Sequence, residues 1–415
     1  MPDLRLLPRP PGHRGLTTST GTAPAPDQLS TSGTTRPAPP VRVALDLLGG
    51  DGPPEQVAAV VVEGALRALA ADPGLAVTLV GPPAVAATAL AAAGAAPGAV
   101  AIAAATQVVG MDEEPARAVR AKRDATVRVA ARLVRDGEAD ACCSLGSTGA
   151  AMAATLFTLG RLPGVTRPAL ALTLPSSGGP VVFLDAGAGT EAGVDLLVQF
   201  ALAGVALARV RLGLADPRVG LLSVGEEPGK GDLLRKQAYD ALAALSHEVG
   251  GPLRFVGNVE GSDVPLGDRV DVVVTDGFTG NVLIKGMEGA VQAVARRLAE
   301  ALRATPERRE AGRTVLSVFA GLASEMGAEG LGGGVLLGVK GVVVVGHGSS
   351  SPLAVASALA AAAQAAREGL VPGVAAAFAD LVARRRQAAG LPPTPATPPA
   401  GVDSPTAPVD AEVSP

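Results

Sequence analysis

The sequence predicts a three-layer α/β/α fold with a mainly parallel sheet, and three observations carry that expectation. Val- and Leu-rich runs alternate with Ala-rich helical stretches along most of the chain, the rhythm of βαβ units. The valine run at 272–274 has no polar alternation, so it reads as a strand covered on both faces. Glycine-rich corners end the strands and lead into helical patterns, as loops at the strand ends of open sheets do. With 415 residues, 48% of them hydrophobic and only 2% aromatic, the core must be built from Ala, Val, Leu and Gly, which pack by close backbone approach rather than by large rings.

Residues 1–40 are rich in Pro, Thr, Ser and Gly without an apolar period and read as a disordered extension. The folded domain is expected over 41–388. It opens with the strand VRVALDLL at 41–48, closed by GGDGPP, where Pro53 and Pro54 suit a turn followed by the first turn of a helix. A strand at AVTLVG, a helix at AVAATALAAAG and a strand near AVAIAAA continue the alternation. ARAVRAKRD and TVRVAARLVRDG read as helical pieces either side of Asp124. There Arg128, Arg132 and Arg135 share one face, either a solvated surface or a dock for an acidic partner. ACCSLG is a strand ending at the corner GSTGA, LALTL and VVFLDAG are two more, and a helix covers EAGVDLLVQFALAGVALARV. VGLLSVG is a strand followed by the loop EEPGKGD and a helix from about Leu233.

Between about 281 and 327, apolar residues recur at three- and four-residue steps. Leu283, Met287, Val291, Val294, Leu298 and Leu302 lie on one stretch, Val315, Phe319, Leu322 and Met326 on the next, which predicts a helical hairpin. Its apolar seam suits its own sheet, a second subunit or a bilayer. GGGVLLGVKGVVVVGHGSSS returns to strand and glycine corner, followed by helices near 353–368 and 374–388 and a disordered Pro/Ala/Thr tail at 389–415.

Composition excludes several functions. A net charge of −4 recommends no nucleic acid. Cys142 and Cys143 are the only cysteines; adjacent on a strand, they point to opposite faces, which suits buried thiols and neither a disulfide nor a zinc site. No signal core and no membrane span are apparent, so a cytoplasmic protein is expected. The loop GEEPGKGD resembles a nucleotide-binding P-loop only superficially: it is one residue short, lacks Ser or Thr after Lys230, and carries Glu226 and Glu227 where phosphate oxygens would go. Lys230 remains an anion ligand or a surface lysine. The organising stretch is DVVVTDGFTGNVLIKGMEG, 271–289. It reads as a strand, a sharp loop in which Gly277 and Gly280 take angles closed to other residues, and a helix from Asn281; such a corner suits a phosphate. His347, at a strand end, reads as a turn residue or a catalyst.

Nine segments together resemble the bacterial acyl-acyl carrier protein:phosphate acyltransferase family of phospholipid synthesis. They are ALDLLGGDGPPE, MDEEPARAVRAKRD, SLGSTGA, LDAGAG, GEEPGKGD, GNVEG, DVVVTDGFTGNVLIK, LLGVKG and HGSSS, in the family's order over about 41–369. The resemblance implies a fold like that of isocitrate and isopropylmalate dehydrogenases and phosphotransacetylases, a homodimer, and peripheral membrane association through a protruding helical pair. It also implies formation of acyl phosphate from acyl carrier protein thioester and inorganic phosphate, without cofactor or metal, upstream of a glycerol-3-phosphate acyltransferase. Lys230 and Asn281 match the residues proposed for catalysis in that family. The matching corners offer Asp46, Gly49, Gly50, Ser147, Thr148, Gly149, Asp185, Gly229, Gly277, Thr279, Gly280 and His347 as phosphate or substrate contacts, with loop N–H groups completing the cradle.

The chain departs from the family's usual asparagine at Ser147, Gly189, Asp232, Lys340 and Ser351, and Asp232 is expected to repel phosphate if it faces the cavity of Lys230. Two other functions compete: a phosphotransacetylase-like transfer from a coenzyme A thioester, and a non-catalytic recruiter of acyl carrier protein to the membrane.

Overall fold

A computed structural model describes residues 39–388 apart from 249–250, 327–330 and 349–350. The expected terminal extension and tail therefore lie outside the described residues, apart from residues 39 and 40. The chain runs β1 (Val41–Asp46), α1 (Pro54–Ala71), β2 (Leu75–Gly81), α2 (Pro83–Ala92), β3 (Ala101–Ala104), α3 (Pro115–Ala121), α4 (Thr126–Arg135) and β4 (Ala141–Ser144). Then come α5 (Thr148–Thr158), β5 (Ala169–Leu174), β6 (Val181–Leu184), α6 (Val194–Leu212), β7 (Arg218–Leu222), α7 (Leu233–His247), β8 (Arg254–Val259), α8 (Asp263–Leu266) and β9 (Val272–Val274). The last part holds α9 (Gly277–Arg303), α10 (Pro306–Met326), β10 (Gly334–Leu337), β11 (Val342–Val345), α11 (Pro352–Arg367) and α12 (Leu370–Ala388). Pro54, Pro83, Pro115 and Pro352 stand in the first turns of their helices, where the missing N–H costs nothing.

The strands form one sheet of eleven in the order β3-β2-β1-β4-β11-β10-β5-β6-β9-β7-β8. Pairing is parallel within β3-β2-β1-β4-β11 and within β6-β9-β7-β8. Between these halves the three pairs β11–β10, β10–β5 and β5–β6 are antiparallel. An odd number of reversals turns one half against the other. The corners after β1, β4 and β11 therefore leave one edge of the sheet, and those after β6, β9 and β7 leave the opposite edge.

Two apolar clusters cover the two faces. Cys143, Leu184 and Val274 belong to one, with α1, α6 and α11; Cys142, Phe183 and Val273 belong to the other, with α5 and the start of α9. The two cysteines are buried on opposite faces, as their adjacency predicts. Burial pushes the Cys142 thiol up to about 12 and that of Cys143 upward too, so neither is a ready nucleophile.

One expectation changes and one strand is added. The stretch DGFTG is not a loop: Asp276 is the N-cap of α9, and Gly277 and Gly280 lie within the helix, outside the positive-φ glycines. The strand β8 falls within RFVGNV, whose interior glycine obscured its pattern. On α4, Arg128 donates to Val119 O at the end of α3 (2.9 Å), Arg132 donates to Arg123 O (2.9 Å), and Arg135 pairs with Asp136 (2.8 Å). As for the hairpin, α9 and α10 follow one another closely, and a Cβ at Gly312 would sit 3.0 Å from Leu302 Cβ. Ile284 is buried and Leu283 and Met287 pack on the sheet, whereas Val294, Val315 and Val318 are exposed. The side chains of Leu322 and Met326 lie outside the described residues.

Candidate active site

Cross-strand register places Asp46, Ser144 and Val345 on one row, which continues across the sheet through Leu172 and Phe183 to Val273. Asp276 lies three residues past Val273 toward the other edge, roughly 10 Å away. Helix α9 starts there and runs back over the face that carries Leu170 and Leu172. This joins corners that the reversal of strand direction would otherwise separate.

Two hollows open beside α9, and Asn281 lines both. The smaller, about 120 Å³, is walled by Leu170, Leu172, Ala186, Ile284, Leu331 and Val345, with Thr148, Lys285, Glu288 and His347 supplying polar atoms. The larger, about 540 Å³, lies between Met152 and Leu156 of α5, the loop Gly187–Thr190, Gly277 and Phe278 of α9, and Arg167. Asn281 is exposed and its carboxamide makes no hydrogen bond with another described residue, so its donors are available to a ligand. Lys285 pairs with Glu288 at 2.8 Å.

The glycines of α9 owe their identity to packing. A Cβ at Gly277 would meet Gly189 O at 2.2 Å, and one at Gly280 would meet Asp185 O at 1.9 Å. Only glycine lets the first turn of α9 lie against the Asp185–Gly189 loop. Asp185 organises that loop: its buried carboxylate accepts from the N–H groups of Leu170 (3.0 Å), Gly187 (3.1 Å), Ala188 (2.8 Å) and Gly189 (3.0 Å). Burial nevertheless pushes its pKa up, against those hydrogen bonds. The amides expected to cradle phosphate here are thus spent on Asp185.

Asp276 accepts from Thr279 N (2.9 Å) and Thr279 Oγ1 (2.8 Å), which fixes the helix start. The guanidinium of Arg235, on α7, donates to Asp276, to Thr279 Oγ1 (3.0 Å) and to Asp232 Oδ2 (2.9 Å). Arg235 so ties the loop of Gly229 and Lys230 to the helix of Asn281; that loop follows β7, whose parallel neighbour β9 leads into α9. Lys230 is half exposed, 3.9 Å from Glu227 Oε2, and lines neither hollow. Asp232 caps α7 through Arg235 N (2.8 Å) and pairs with Arg235, a guanidinium it shares with Asp276, so the expected repulsion is offset in part only.

The corners of the other edge serve differently. Asp46 is buried, accepts from Ser144 Oγ at 2.7 Å and Leu48 N at 3.2 Å, and burial raises its pKa. Gly49 and Gly50 line a third hollow, of about 320 Å³, with Val108–Met111 and without Asn281. Ser147 is the N-cap residue of α5 without a side-chain capping bond, and a Cβ at Gly149 would come 2.8 Å from Pro115. Of the departures, Ser351 still caps its helix, accepting from Ala354 N at 3.3 Å, and Lys340 is exposed. Two further cations line the hollows: Arg167, in an Arg-Pro pair before a strand that carries no chemical signature in sequence, and Lys285, one helical turn from Asn281. Among the described residues, no group of acidic, His and Cys side chains could hold a metal, and no helix is long and apolar enough to cross a membrane.

With both faces of its sheet covered and two hollows beside the start of α9, the chain is an α/β protein whose candidate site flanks a helix start. The fold is like that of phosphotransacetylases. The enzyme from Streptococcus pyogenes superposes with a TM-score of 0.52 at 17% identity, over 79% of this chain and 94% of that one. EutD phosphotransacetylase from Staphylococcus aureus gives 0.50 at 15%, over the same shares. The chain belongs to the fatty acid synthesis protein family, whose model matches residues 41–372. Relatives include the phosphate acyltransferase of Desulfitobacterium hafniense strain Y51, 41% identical over 331 residues, 80% of this chain and 95% of that protein. That of Thermobifida fusca is 43% identical over 322 residues, 78% and 87% of the two chains.

Proposed function

We propose that the protein transfers a fatty acyl group from the thioester of acyl carrier protein to inorganic phosphate, giving acyl phosphate for phospholipid synthesis. The observation that carries this reading is Asn281, whose carboxamide has no partner among the described residues, at the junction of an apolar hollow and a more polar one. The apolar hollow suits the acyl chain beside its carbonyl, the polar one phosphate. Phosphate is already ionised near neutral pH, so the reaction needs placement and oxyanion stabilisation more than a strong base. An oxygen of HPO₄²⁻ attacks the thioester carbon, the C–O bond forms, and the carbonyl oxygen gains charge that the Asn281 carboxamide meets. Collapse breaks the C–S bond, and the thiolate takes the proton that phosphate carried. Lys230, on its tethered loop, adds positive field to the approach of phosphate; Thr148 and His347 act on the ligand in the smaller hollow.

The finer parts of the reading rest on the family resemblance and on the exposed residues of α9 and α10. The two opposed parallel halves suit a dehydrogenase-like variant of the fold, and α9 with α10 forms an arm whose exposed Val294, Val315 and Val318 suit a second subunit or the membrane surface. Peripheral attachment there would hand acyl phosphate to a membrane acyltransferase. ³¹P NMR of purified protein with phosphate and either acyl carrier protein thioester or acyl-coenzyme A tests the donor. An acyl phosphate signal with the carrier thioester at far lower concentration supports the reading; equal or better use of coenzyme A replaces it with a phosphotransacetylase-like transfer.

A further inference from the structure

We propose that Arg167 is the side chain that seats inorganic phosphate in the larger hollow, and that glycine at position 189 makes room for it. This rests on the phosphate transfer proposed above and names the anchor that the transfer requires. The loop that faces the hollow has no backbone donors to spare at Gly187, Ala188 and Gly189, since all three N–H groups point to the Asp185 carboxylate. A phosphate there needs a cation, and Arg167 is the only charged residue among the described residues lining the hollow. Lys230 is not among them. Arg167 stands just before β5, and its position is fixed by a hydrogen bond from Nη1 to Glu191 O at 2.9 Å. That bond uses one of five guanidinium N–H groups, and Arg167 has no carboxylate partner among the described residues. A planar fork with free donors is suited to two phosphate oxygens at once.

The second observation is steric. A Cβ at position 189 would lie 2.8 Å from Arg167 Nη1 and 3.3 Å from its Cδ. Gly189 is not among the positive-φ glycines, so a side chain there meets no backbone strain, only the guanidinium. Glycine at position 189 thus leaves the guanidinium its place. Phosphate beside Gly187 would also stand next to Asn281, since a Cβ at Gly187 would be 3.4 Å from Asn281 Oδ1.

The test uses the full chain. Calorimetry with inorganic phosphate alone, without acyl donor, reads the seat independently of whether acyl transfer occurs; steady-state assays then vary phosphate and thioester separately. Arg167→Gln is expected to weaken phosphate binding and raise the phosphate KM roughly tenfold or more, with the thioester KM within about twofold. Arg167→Lys should fall between, keeping charge but losing the fork. Gly189→Asn, which leaves Arg167 in the chain, should weaken phosphate in the same direction. Phosphate binding and KM unchanged in Arg167→Gln and Gly189→Asn overturn the proposal. A rise confined to the thioester KM also overturns it, and gives Arg167 to the acyl donor.

Discussion

Arg235, on α7, holds Asp276, the N-cap of α9, while the same guanidinium pairs with Asp232, the N-cap of α7, at 2.9 Å. Two helix starts are thus locked by one side chain that is itself only 13% exposed. Arg235→Ala leaves Asp276 without its cationic partner and is expected to cost about 2–3 kcal/mol, read as a lower urea midpoint with unchanged slope. A midpoint within error of the parent would show that the pair does not hold the two helices.

The same pair sets an acid limb. Burial alone would raise the Asp276 pKa, but its Thr279 hydrogen bonds and the Arg235 charge outweigh that and leave it lowered. A carboxylate depressed in the folded state stabilises the fold above its unfolded pKa, about 4, and that contribution is lost as pH falls below about 4 through the folded value. The stability gap between the parent and Asp276→Asn should therefore be widest near neutral pH and narrow as pH falls below 4. A gap independent of pH would remove Asp276 from the acid response.

Two glycines of one helix separate packing from propensity. Gly280→Ala puts a Cβ 1.9 Å from Asp185 O and should destabilise by about 2 kcal/mol or more. Gly286, exposed in the same helix, has nothing within 4 Å of a Cβ, so Gly286→Ala should stabilise by about 0.5–1 kcal/mol. Thermal unfolding of both variants reads the opposite signs.

The arm carries a prediction of its own. Leu298, half-buried on α9 near exposed Val294, is expected to lie at a subunit or membrane contact. Leu298→Asp should lower dimer content in ultracentrifugation or binding to anionic vesicles while far-UV dichroism stays constant. No change in either property returns the seam to an intramolecular role.

The sequence made the fold class and most elements legible, because valine runs, Ala-rich helices and N-terminal prolines are local signals. Long-range reversals are not local. Nothing in ALALTL or GVLL says that it will pair antiparallel, and those pairings send the corner of Asp46 to one edge and that of Lys230 to the other. Gly277 and Gly280 were visible as unusual, but a glycine needed for a turn and one needed for close packing look alike until the facing Asp185 loop is known. Asn281 was legible through its motif; Arg167, held by a backbone carbonyl far along the chain, was not.

The groove around Asn281 is expected to make acyl phosphate. The most direct measurement traps the product with hydroxylamine during incubation of the purified protein with acyl carrier protein thioester and phosphate, beside Asn281→Ala. The parent should give phosphate-dependent hydroxamate and Asn281→Ala about a hundredfold less at unchanged folding, the scale of losing one oxyanion donor. No hydroxamate from the folded parent, or equal yields from parent and variant, would contradict it.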